Sequence, residues 1–127
     1  NSLNKIGDNP VILIAEDQII NYQYLKLVIQ QKLNCKIIHA ANGEEAVEAY
    51  QSNPQINLVL MDINMPIMDG YEAAKKIKEV APGIPIIAQT GYDLKMQKDK
   101  FGSAIFNDYL SKPINENLLF SKIESFK

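Results

Sequence analysis

Cysteine is nearly absent. The 127 residues hold only Cys35, so neither an internal disulfide nor a zinc site built from several cysteines can form, and the thiol is read as a packed structural one. Concentrated positive charge is missing as well. Thirteen basic residues stand against fifteen acidic ones, for a formal charge of −2 and a pI near 5.4. The longest basic run is Lys75-Lys76, which argues against nucleic acid or an anionic membrane surface as partner. No apolar run approaches the roughly 20 residues of a membrane span, and the start shows no signal-peptide pattern. The expectation is a cytoplasmic domain without direct membrane contact, even where its parent is a membrane-anchored sensor.

What is present suits one compact unit, since 127 residues with 46% apolar content can build a single core. Residues 1–9 are polar and aperiodic, begin without methionine, and read as a linker or an excised piece of a longer protein; residues 10–127 read as the domain. Val11 to Ala15 is a continuous apolar run, as in a strand covered on both faces, and it stops at Glu16-Asp17. A helix follows from Ile19 to Leu33, with an apolar face assigned to Ile20, Tyr24, Leu27, Val28 and Gln31. Lys36 to Ala40 is a short strand, and Asn42 with Glu45 has the form of a capping box for a helix through Tyr50.

The organising stretch is Ile56 to Gly70. Leu58 to Met61 is a buried strand that delivers Asp62 to a loop carrying Pro66 and Gly70, and Asp69 with Glu72 caps the next helix, which runs to about Val80. Ile84 to Ala88 is the fourth strand, leading into Gln89-Thr90-Gly91, and Asp93 to Phe101 is a fourth helix with few apolar anchors. Asp108 to Ser111 is the fifth strand, and Asn115 caps a last helix whose apolar face is Leu118, Leu119, Ile123 and Phe126.

Five strands alternating with five helices require an α/β fold: a doubly wound parallel sheet, (βα)5, of flavodoxin-like order 2-1-3-4-5. In that order Glu16, Asp17 and Asp62 converge at the carboxyl edge of the sheet, joined there by Thr90 and Lys112. Three crowded carboxylates repel one another, and a bound cation relieves them. Oxygen ligands without cysteine or histidine favour a hard ion such as Mg²⁺ or Mn²⁺, which leaves coordination positions for phosphate oxygens. Lys112 then offers a point charge and Thr90 a hydroxyl to a phosphoryl group, and Asp62 a carboxylate able to attack phosphorus.

Glu16-Asp17, Asp62 within Met-Asp-Ile-Asn-Met-Pro-Ile-Met-Asp-Gly, Thr90, Tyr109 and Lys112-Pro113 occur in order at strand ends. With these residues the chain resembles the response-regulator receiver domain of two-component signalling, from about Pro10 to Phe126. The resemblance implies that Asp62 accepts a phosphoryl group from a histidine kinase or a histidine phosphotransfer domain. It implies that Asp17, Asp62 and the carbonyl of Asn64 ligate the metal directly, with Glu16 acting through water. Lys112 would pair with the phosphoryl group, its bond to Pro113 being cis in such proteins. Thr90 and Tyr109 would form a switch in which the aromatic ring turns inward. A homodimer or partner face on the fourth helix, fifth strand and fifth helix is expected, and Tyr92 is expected to lie over the site mouth and slow hydrolysis.

Competing readings are weaker. A haloacid-dehalogenase-type phosphatase needs a second aspartate where this chain has Asn64, and a flavodoxin-type FMN carrier needs a Ser/Thr/Gly-rich loop where it has Glu-Asp-Gln-Ile-Ile. The lone His39, with no helical-bundle pattern around it, is read as an edge residue and not a phosphoryl donor. The phrases Asn-Met-Pro-Ile-Met-Asp-Gly-Tyr-Glu-Ala and Tyr-Leu-Ser-Lys-Pro-Ile resemble receivers of hybrid histidine kinases. A stand-alone phosphorelay regulator and a non-phosphorylated docking module are the alternatives.

Overall fold

The computed structural model describes residues 9–91 and 93–126. Their chain order is β1 (Val11–Ala15), α1 (Ile19–Lys32), β2 (Lys36–Ala40), α2 (Gly43–Ser52), β3 (Leu58–Asp62), α3 (Gly70–Val80), β4 (Ile86–Thr90), α4 (Leu94–Phe101), β5 (Asp108–Ser111) and α5 (Glu116–Glu124). The strands form one parallel sheet in the order β2-β1-β3-β4-β5, as expected from the alternation.

Successive strand residues point to opposite faces, so each central strand feeds two cores. Leu13, Ala15, Val59, Met61, Ile86 and Ala88 pack with Ala46, Ala73, Ala74 and Ile77 of α2 and α3 on one face. Ile12, Ile14, Leu58, Leu60, Ile87 and Leu110 pack with Leu25, Val28 and Ile29 of α1 and with Leu119 and Ile123 of α5 on the other. The helix starts follow their capping residues: Asn42 accepts from the Glu45 N–H, Asp69 from Glu72, Asp93 from Met96 and Asn115 from Leu118. In α2 Glu45 also reaches back to accept from the Ala41 N–H at 2.9 Å.

Three expectations need correction. The buried face of α1 is Leu25, Val28 and Ile29, whereas Ile20 is 76% and Leu27 60% exposed, and Tyr24 and Gln31 are exposed as well. The helix carries apolar residues on more than one side, so spacing alone could not decide its rotation. The stripe at i, i+3, i+4 that meets Ile12 and Ile14 is the one the sheet selects. The start of β4 shifts from Ile84 to Ile86 and its end runs on through Gln89 and Thr90. Pro85 has no N–H to give the ladder, while Gln89 pairs in register with Asp62 and Leu110, and Thr90 with Ser111. In α5 Leu118 is exposed, and Leu119 and Ile123 supply the buried face. The sparse anchoring expected of α4 is observed, since none of its residues is buried. No helix among the described residues is long and apolar enough to cross a membrane.

Candidate functional site

The site begins where β1 ends. Glu16 is fully buried and held by its backbone, its N–H donating to the Ala40 carbonyl at 2.9 Å and its carbonyl accepting from His39 Nε2 at 2.9 Å. The His39 ring stacks on Tyr22 with centroids 3.7 Å apart, so this edge-strand histidine anchors the first acid. The Glu16 side chain turns back on its own loop, Oε2 accepting the Gln18 N–H at 3.1 Å.

β3 ends on Asp62, which is 3% exposed. Its Oδ1 accepts the Asn64 N–H at 3.0 Å and its Oδ2 accepts from Lys112 Nζ at 2.8 Å. The same ammonium lies 3.0 Å from Glu16 Oε1, an ion pair that leaves that oxygen without an aligned hydrogen bond. Lys112 comes from the loop after β5, where its N–H donates to the Thr90 carbonyl at 2.8 Å and its peptide bond to Pro113 is cis, as the resemblance implied. Glu16, Asp17 and Asp62 each offer a carboxylate oxygen within 4.8 Å of the others. Asp17, Gln18, Asp62, Asn64, Gly91 and Lys112 line a cleft of about 280 Å³.

Burial pushes the Glu16 carboxyl above the usual carboxylate range, with the Asp62 charge adding to the shift and the Gln18 N–H and Lys112 opposing it. For Lys112 burial works against the charge, but hydrogen bonding and attraction from Asp62 and Glu16 outweigh it and hold the ammonium above the usual lysine range. One lysine thus bridges two buried acids, and the donor set is all oxygen, which fits a hard divalent cation.

The loop from β3 to α3 is shaped by contacts that the sequence reading did not anticipate. Ile67 has φ 71° and the Met68 N–H donates to the Pro66 carbonyl at 2.7 Å, a γ-turn with a β-branched residue at its centre. Gly43, at the start of α2, donates its N–H to the Met68 carbonyl at 3.0 Å. Gly70 donates to the Ile63 carbonyl at 2.8 Å, and a Cβ at Gly70 would run into the backbone carbonyl of Asp62. The Asp-Gly pair therefore carries two signals, a helix cap at Asp69 and a close backbone approach at Gly70.

Thr90 is fully buried at the end of β4, and Tyr109, on β5, is 4% exposed. The tyrosine is packed into the protein: its hydroxyl donates to the Gly102 carbonyl at 2.7 Å, at the C-terminus of α4, and its ring meets Phe106 edge-on at 5.6 Å. Glu16, Asp17, Asp62, Asn64 and Lys112 come together in the structure, whereas Tyr109 stands apart from the cleft. Tyr92 lies outside the described residues.

Fold and site together define a class, an α/β protein with acids and a lysine gathered at the carboxyl edge of a doubly wound sheet. The family model for the response regulator receiver domain matches residues 12–124, and the chain belongs to that family. It is 33% identical over 113 residues to the autoinducer 1 sensor kinase/phosphatase LuxN of Vibrio harveyi, covering 89% of this chain and 13% of that protein. It is 33% identical to the two-component response regulator 24 of Arabidopsis thaliana, covering 86% of this chain and 78% of the relative. Among solved structures it resembles the receiver domain of the Saccharomyces cerevisiae response regulator Ssk1, crystallised with the histidine phosphotransfer protein Ypd1. There the TM-score is 0.85 at 30% identity, over 94% of this chain and 89% of that one. The receiver domain of the sensor histidine kinase PA1611 from Pseudomonas aeruginosa, with magnesium in its active-site cleft, matches at TM-score 0.82 and 28% identity, over 93% of this chain and 97% of that one. The chain spans only a small part of the length of several relatives, LuxN among them.

Proposed function

We propose that this receiver takes a phosphoryl group from a phosphohistidine onto Asp62. The observation that carries the reading is Lys112 Nζ at 2.8 Å from Asp62 Oδ2 within a cluster of three acids. An Asp62 oxygen attacks phosphorus, the O–P bond forms as the N–P bond breaks, and the electron pair returns to the donor imidazole. Lys112 passes from the carboxylate to the incoming phosphoryl oxygens, and the Thr90 hydroxyl donates to one of them. Glu16, Asp17, Asp62 and the Asn64 carbonyl would hold Mg²⁺ (or Mn²⁺), supplying the positive charge that a phosphoryl group beside two acids requires. Thr90 and Tyr109 relay the change to α4 and β5.

The donor is a histidine kinase or histidine phosphotransfer domain, in keeping with the partner of the Ssk1 receiver. Ile19 and Ile20, exposed two and three residues beyond Asp17, give that donor an apolar rim to meet. Residues 10–127 act as one cytoplasmic receiver domain within a hybrid histidine kinase, joined through residues 1–9, and pair through α4, β5 and α5.

The test is intact mass after incubation with acetyl phosphate, with and without Mg²⁺, on the protein and on Asp62→Asn. Gain of one phosphoryl group that needs both the metal and Asp62 is expected. Equal phosphorylation of Asp62→Asn, or none from either acetyl phosphate or a phosphorylated histidine phosphotransfer protein, overturns the reading.

A further inference from the structure

A second cavity, of about 390 Å³, lies behind the cleft between α1 and the loop that leads from β5 into α5. Asn21, Tyr24 and Leu25 form one wall, Pro113 and Ile114 the other, and Gln89 of β4 faces into it. Gln89 is fully buried, yet neither its Nε2 nor its Oε1 has a hydrogen-bond partner. On this face of the strand the preceding residue is apolar Ile87, and the neighbours in register are Leu110 on β5 and Asp62 on β3, whose carboxylate is already engaged by Lys112 and the Asn64 N–H and so leaves the Gln89 amide without a partner. A buried amide without partners is a standing penalty that a complementary group can relieve.

The lining also constrains that group. A primary amide presents a donor beside an acceptor, and its complement is an acceptor beside a donor, the edge of a lactam or an amino-substituted heterocycle. Glu16 and Lys112 both line the cavity, 3.0 Å apart, and offset each other's charge, so an anion meets Glu16 and a cation meets Lys112. Leu25, Pro113 and Ile114 suit an apolar ring system. The volume falls within the range of small-molecule sites.

We infer that the cavity between α1 and the β5–α5 loop is a binding site for a small neutral heterocycle that pairs a lactam-like edge with the Gln89 amide. It adjoins the phosphoryl site through Glu16 and Lys112, but its other lining residues, Asn21, Tyr24, Leu25, Gln89, Pro113 and Ile114, lie outside the cleft. The inference is independent of phosphoryl transfer.

The probe is 2-quinolone, an apolar bicycle with a lactam edge, titrated into the ¹⁵N-labelled protein while two-dimensional amide spectra are recorded. Saturable shifts are expected at the Gln89 side-chain amide and at the Leu25 and Ile114 backbone amides. Loss of one paired hydrogen bond should weaken binding about ten-fold, both for N-methyl-2-quinolone on the natural protein and for 2-quinolone on Gln89→Leu. Ile114→Trp, which fills the cavity, should abolish the shifts. Without ligand, Gln89→Leu should melt higher than the natural protein, because it removes the unpaired amide. Absence of saturable shifts at these residues overturns the inference, as does equal affinity for the N-methylated probe, unchanged binding by Gln89→Leu or a lower melting temperature for that variant. If Gln89→Leu does not fold, the comparison of the two probes on the natural protein decides.

Discussion

Replacing Gly70 by alanine tests the claim that the phosphoacceptor loop is held by close backbone contact. An added Cβ would collide with the Asp62 carbonyl oxygen and stand 2.8 Å from both the Asp62 carbonyl carbon and Ile63 Cα. Overpacking costs about 1–3 kcal/mol, and a wall of backbone atoms that cannot swing aside puts this site near about 3. Alanine in place of glycine in a helix contributes about 1 kcal/mol in the opposite sense. The net loss is about 2 kcal/mol, or ~8 °C of melting temperature at ~4 °C per kcal/mol for a domain of this size. Gly83→Ala is the control, since its Cβ meets nothing within 4 Å. Thermal unfolding followed by circular dichroism gives the stabilities, and acetyl phosphate uptake at a temperature where both variants are folded gives the effect on the site. Uptake should fall at least about ten-fold in Gly70→Ala, because the displaced carbonyl belongs to Asp62 itself. If Gly70→Ala melts with Gly83→Ala and is phosphorylated as fast, the close-approach argument is wrong.

Three further outcomes are expected. Ile67→Gly should raise the melting temperature, because an exposed β-branched residue at φ 71° stores about 1–3 kcal/mol and glycine gives back only about 1 in chain entropy; an unchanged or lower value would refute the strain. Tyr109→Phe should lose about 1 kcal/mol with the hydroxyl bond to Gly102, and urea denaturation that finds no loss would mean the bond contributes nothing. In metal-free buffer Glu16→Gln should gain on the natural protein as pH rises from 4.5 toward neutrality. Over that window the folded state binds more protons at Glu16 than the unfolded state, so this group makes the natural protein lose stability with rising pH relative to the glutamine variant. The Lys112 contribution is constant there, since its raised value is lost only in the alkaline range, and parallel pH profiles for the two proteins would sink the argument.

The sequence disclosed most where one period governs. β1 and β3 are buried on both faces and read as unbroken apolar runs, and the caps at Asn42, Asp69 and Asn115 marked three of the helix starts. It misled where two signals overlapped. The helix α1 has apolar residues on an exposed side as well as a buried one, and β4 ends in Gln89 and Thr90, whose polarity disguised a strand. The acids and lysine were legible because topology alone brings strand ends together. Gly70, Gly43 and the γ-turn at Ile67 were not, because close approach and positive φ arise only once α2 and α3 are packed against the loop.

The alternation of the strands also divides labour across the sheet. Counting by two from Ile14, Leu60 and Leu110 leads to Glu16, Asp62 and Lys112 on the side of α1 and α5, while counting from Ala88 leads to Thr90 on the side that holds Tyr109. The sheet is then a septum, with charge on one side and aromatic packing on the other, crossed where Gln89 gives way to Thr90. Deleting a single residue within β5 would exchange the two sides for everything after it, carrying Lys112 away from the acids even with every residue type retained. Spacing by odd or even count, as much as residue identity, therefore wires this site to the opposite surface.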